Sequence, residues 1–174
     1  NGVLYFAAEN SPNGMELWKS DGTVAGTTLL KDIRPGAESG YPSNLINVGS
    51  TLFFAATDGI KGTELWKSDG TTAGTILLKD IWPGAGESYP FSLKSVDGQL
   101  FFSADNGTKG AELWKSDGTT PGTLLSVMMA AMHRRSTRRR GSILQRAMGS
   151  WCWKPGMRGW RPNSASTAAT SGYT

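Results

Sequence analysis

Apolar residues along the first two thirds of this chain fall in short runs rich in β-formers, with Gly, Pro, Asp and Ser between them. The runs at 52–56 (LFFAA), 63–68 (TELWKS), 75–81 (TILLKDI) and 92–96 (SLKSV) each have the length and composition of a strand. In 63–68 the side chains alternate: Leu65 and Lys67 fall on one face, and Glu64, Trp66 and Ser68 on the other. Each face therefore carries one large apolar group, which predicts a sheet covered on both sides. The punctuation reads as turns. Asp69 is placed to accept from the amides ahead of it, Gly70 supplies a positive φ, and the following Thr-Thr-Ala-Gly closes a hairpin into 75–81. Asp97-Gly98 plays the same part between 92–96 and the next LFF run.

The pattern repeats. ELWKSDGT stands at 16–23, 64–71 and 112–119, a period of 48 both times. Around it Leu4-Tyr5-Phe6, Leu52-Phe53-Phe54 and Leu100-Phe101-Phe102 recur in register, as do LLKDI at 29–33 and 77–81, Pro35-Gly36 and Pro83-Gly84, and Tyr41-Pro42 and Tyr89-Pro90. Four antiparallel strands in each 48-residue unit, apolar on both faces, predict an all-β fold of β-propeller-like blades in an incomplete ring. A β-solenoid or an array of small sandwiches is the alternative. The eight-residue motif resembles that of the bacterial ELWxxDGT repeat proteins, often called hyalin-like, and the resemblance covers positions 1 to about 123. It implies a secreted or cell-surface protein with propeller-like β-structure. It implies no defined chemistry.

Charge divides the chain. All fourteen acidic residues and nine of the eighteen basic ones lie in 1–123, a net −5, whereas the remainder carries +9. We therefore divide the chain into the repeat region, 1–123, and a basic tail, 124–174, with Arg134, Arg135, Arg138, Arg139 and Arg140 clustered. One reading of the tail is an arm for nucleic acid, with Trp151, Trp153 and Trp160 as stacking groups. The favoured reading is translation out of frame. Single-codon Met and Trp fix the overlapping triplets, and the frame one nucleotide upstream permits Asp-Gly-x-Leu-Val-Leu-Glu-Ala through Ala147 to Pro155, which parallels Asp97 to Ala104. The other shifted frame meets a stop at Met128-Met129. Nucleic acid is accordingly disfavoured as a partner. The chain lacks a Met start, which reads as a piece of a longer protein, and it has no apolar run long enough to span a bilayer.

Candidate chemistry is sparse. The sole His, His133, and the sole Cys, Cys152, both lie in the tail, so no nucleophile-base constellation and no Cys-based metal site can be assembled in 1–123. We expect no catalytic residue, no metal ligand and no cofactor. The loops at 9–14, 58–62 and 105–110 hold Asp, Asn and Gly, but lack the spacing and terminal Glu of a calcium loop, which leaves calcium a minor alternative. Glu16, Glu64 and Glu112, Trp18, Trp66 and Trp114, and the Asp-Gly pairs Asp21-Gly22, Asp69-Gly70 and Asp117-Gly118 recur identically in every unit. That marks them as structural: turn caps, partners of Lys19, Lys67 and Lys115, and packing aromatics. What differs between units is more informative. Arg34 becomes Trp82, and Glu38-Ser39-Gly40 becomes Gly86-Glu87-Ser88, so Arg34, Trp82, Glu38 and Glu87 are the candidate ligand contacts. The expected function is a non-catalytic scaffold presenting loops to extracellular proteins or glycans, with further repeat units as partners. The alternative is a piece of a propeller-based enzyme whose active site lies elsewhere.

Overall fold

The structure, a computed structural model, describes residues 2–126. The tail, with both of its readings, lies outside them apart from its first residues. Within 2–126 the fold is all-β, without helix among the described residues, and consists of three antiparallel sheets that do not close into a barrel.

The first sheet contains β1 (Leu4–Asn10), β2 (Gly14–Ser20) and β3 (Thr28–Lys31), in that order. The second contains β4 (Ser43–Val48), β5 (Thr51–Thr57), β6 (Thr63–Ser68) and β7 (Ile76–Lys79). The third repeats it as β8 (Phe91–Val96), β9 (Gln99–Asp105), β10 (Ala111–Ser116) and β11 (Leu124–Leu125). A sheet therefore begins with the strand that precedes the LFF run. The tight turn between β8 and β9 follows from Asp97 and Gly98, both with positive φ, as a two-residue hairpin loop requires. Register is conserved between sheets: Phe6 pairs with Trp18, Phe54 with Trp66 and Phe102 with Trp114.

The cores lie between sheets. Leu17, Leu30 and Ile33 of the first sheet and its trailing loop form one cluster with Leu52, Phe54, Ala56 and Trp66 of the second, and Tyr5 and Leu45 pack against it. Phe53, Leu65, Leu78 and Ile81 of the second form the other cluster with Leu100, Phe102, Ala104 and Trp114 of the third. Alternation sets the division: Leu65 faces forward into one cluster and Trp66 backward into the other. Trp66 and Trp114 each stack on the cross-strand phenylalanine, with centroids 6.5 Å apart for Phe54 and Trp66 and 6.4 Å for Phe102 and Trp114.

Polar contacts lock the sheets in the same register twice. Lys19 Nζ donates to the Gly70 carbonyl at 3.0 Å, and Lys67 Nζ to that of Gly118 at 2.8 Å. Thr72 Oγ1 donates to the Leu30 carbonyl and Thr120 Oγ1 to that of Leu78, each at 2.8 Å. Unit one has Val24 at this position, without the hydroxyl. The turn that makes these contacts is self-contained. Asp69 Oδ1 accepts from Thr71 N and Oγ1, Thr71 Oγ1 accepts from Gly74 N, and Ser68 Oγ bonds Thr75 Oγ1. Any Cβ on Gly74 would overlap the Asp69 carboxylate. Gly74→Ala should therefore lower stability by about 1–3 kcal/mol through overpacking. Thr120→Val, which keeps the shape and removes one intersheet bond, should cost about 1 kcal/mol. Urea unfolding of the two variants beside the parent checks both values.

Candidate functional site

The repeated motif is consumed by the fold. Glu64 is fully buried, and its carboxylate accepts from Ile81 N at 2.7 Å, Ser88 Oγ at 2.7 Å, and Trp82 N and Ser88 N at 3.3 Å. One carboxylate thus fastens both ends of the 81–88 loop. Glu16 does the same in the unit before, accepting from Ile33 N and Gly40 N at 2.7 Å each. The glutamates are therefore loop clamps, and the expected pairing with lysine is replaced by bonds to backbone amides; Lys19 and Lys67 reach across to the next sheet instead. Burial drives the Glu64 carboxyl up to about 7 against the opposing pull of its donors, with Asp80 adding to the rise. Glu16 is raised for the same reason, with Asp32 as its acidic neighbour. Asp21, Asp69 and Asp117 lie below the usual carboxylate range because the threonine two residues on donates to each. Trp66 and Trp114 are buried packing groups.

Of the residues that differ between units, Glu38 and Trp82 are exposed and Arg34 and Glu87 half-buried, whereas Ser88 is buried against Glu64. They sit on the loop that each glutamate clamps. Arg34 lies over Gly59 in the β5–β6 loop of the following unit, where any Cβ would meet its guanidinium, and its Nη2 is 3.5 Å from Glu38 Oε2. Trp82, its equivalent 48 residues on, covers Gly107 in the same way and also packs on Gly86. The side chain at this position thus always roofs the next unit's loop, as a cation in one case and an indole in the other.

At the β5–β6 end of the second sheet these loops border a groove of about 590 Å³, lined by Arg34, Tyr41, Ile60, Thr63, Glu87 and Tyr89 among others. Of the four candidates from sequence, Arg34 and Glu87 line this groove, Glu38 braces Arg34 from outside it, and Trp82 stands one unit further along. The tyrosines were missed as contacts. Tyr41 and Tyr89 are each 60% exposed and hold φ of 49° and 43°, a conformation costly for a bulky residue. Bonds from their amides to the Met15 and Thr63 carbonyls keep them there. Their signal was the recurrence of Tyr-Pro at both positions, which nothing in the core required. Glu87 Oε2 accepts from Thr63 Oγ1 at 3.4 Å, and its hydrogen bond with Tyr89 raises the phenol above its ordinary value.

In the loops at 58–62 and 105–110, Asp58 Oδ1 accepts from Ile60 N and Lys61 N, and Asp105 Oδ1 from Gly107 N. No three His, Cys, Asp or Glu side chains converge as metal ligands among the described residues. Comparison with protein-family models, curated proteins and solved structures finds no match.

The clamp has a pH signature. An acid whose folded value is raised binds its proton more tightly folded than unfolded, so its stabilising contribution is complete below about 4.5 and is lost as pH rises towards about 7. The depressed aspartates act in the opposite sense, and only at lower pH. The urea midpoint should therefore fall between pH 4.5 and 7. Glu64→Gln should flatten that slope whatever its own midpoint, which a pH series of unfolding curves measures.

Proposed function

We propose that residues 1–123 belong to a non-catalytic repeat scaffold of the ELWxxDGT kind, in a secreted or cell-surface bacterial protein, with sheets arranged as propeller blades that present loops to glycans or proteins. The location rests on the resemblance carried by the thrice-repeated motif. The observation that supports binding is the groove. It is built from the segments that vary between units, and it displays two strained, exposed tyrosines beside a guanidinium and a carboxylate. Aromatic faces flanked by planar polar groups suit a saccharide, whose ring offers an apolar face and a rim of hydroxyls.

Catalysis draws less support. The carboxyl raised to about 7 is sealed behind donors from its own loop, so it meets no substrate. The stacked sheets, each joined to the next by the same lysine and threonine contacts, suit further units of the same length as partners.

Affinity electrophoresis through gels containing soluble β-glucan, xylan or alginate tests the reading. Retardation by at least one polysaccharide is expected, with affinity reduced at least about tenfold in a Tyr41→Ala/Tyr89→Ala variant that keeps the parent's circular dichroism spectrum. Retardation that survives the double substitution would remove the groove from consideration.

A further inference from the structure

We infer that Asn106-Gly107, in the loop between β9 and β10, is a self-modification site at which the main chain attacks its own side chain and converts Asn106 to aspartate and isoaspartate. The sequence supplies the dipeptide this chemistry needs, because a glycine carries no Cβ to hinder the approach of its nitrogen to the preceding carboxamide. Sequence alone does not single out the site. Asn13-Gly14 is a second pair of the same kind within 2–126. The fold tells the two apart.

At Asn106 the turn assembles the reacting groups. Asn106 Oδ1 accepts from Thr108 N at 3.1 Å and from Thr108 Oγ1 at 2.5 Å, which folds the carboxamide back along its own main chain and holds it beside Gly107. The same two donors address the oxygen on which negative charge collects when a nucleophile adds to Cγ. Gly107 N donates to Asp105 Oδ1 at 2.7 Å, so the proton it must lose already has an acceptor. Gly107 itself is exposed. At Asn13 the main chain is committed elsewhere. Asn13 N donates to the Asn10 carbonyl, Gly14 is paired with Asn10 as the first residue of β2, and the Glu38 carbonyl and Ser39 Oγ crowd the open side of Gly14.

The reaction balances with water as its only co-reactant. Gly107 N bonds to Asn106 Cγ, the Cγ–Nδ2 bond breaks, and ammonia leaves with the proton that the amide gave up. Water then opens the five-membered imide at either carbonyl. One opening gives aspartate; the other gives isoaspartate, in which the main chain runs through Cγ. The loop has room for the first product, since one period earlier the same position is Asp58, whose Oδ1 accepts from Ile60 N and Lys61 N. Isoaspartate lengthens the main chain beneath Trp82, whose indole packs on Gly107. The inference does not rest on the saccharide groove.

The test holds the full chain in mild alkali and maps it by tryptic digestion, with fragment ions placing each exchange of carboxamide for carboxyl. Asn106 should convert at least about tenfold faster than Asn13, and unfolding in guanidinium chloride should bring the two rates within about threefold of one another. Thr108→Val, which keeps the shape of the side chain and removes the Oγ1 donor, should slow Asn106 at least about threefold in the folded chain and leave Asn13 unchanged. Equal rates in the folded parent, a preference that survives unfolding, or an unaltered Asn106 rate in Thr108→Val would each overturn the inference.

Discussion

A sheet with a large apolar side chain on each face cannot be stable alone, and the rest of this structure follows from that constraint. Phe54 and Trp66 look backward and Phe53 and Leu65 look forward, so the second sheet needs a neighbour on either side. Its core belongs to the spaces between sheets. Stability in such an array accumulates through nearest-neighbour interfaces more than through any single centre. The repeat keeps those neighbours in step through identical lysine and threonine bonds.

The buried glutamate connects this scaffold to the surface that varies. A carboxylate can accept several hydrogen bonds at once, and Glu64 uses that capacity to tie Ile81, Trp82 and Ser88 together. The loop between those anchors can then change sequence without changing its path. Arg34 and Trp82, so unlike in chemistry, occupy the same place above a glycine of the next unit because the clamp beneath them is the same.

Much of the architecture was legible from spacing. The period of 48, the four strands of the second and third sheets and the turn at Asp97-Gly98 appear as read, because strand alternation and turn chemistry are local properties. The role of the glutamate was not legible. Its donors lie 17 and 24 residues away, and no local rule ties a strand carboxylate to amides beyond the next strand. The candidate site was half legible. Variation between units pointed to Arg34 and Glu87, whereas Tyr41 and Tyr89 recur and so were grouped with the scaffold. Only the fold shows that their rings face outward.

The bonds between sheets end on backbone carbonyls: Gly70, Gly118, Leu30 and Leu78 accept through groups that every residue possesses. A joint that reads main chain is indifferent to most of the side chains around it. The polar joint therefore asks of the next unit only the lysine and the turn, while the apolar clusters between the sheets ask for the recurring Leu, Phe and Trp. Sequence change in the clamped loops is thereby uncoupled from the joints that hold one sheet against the next.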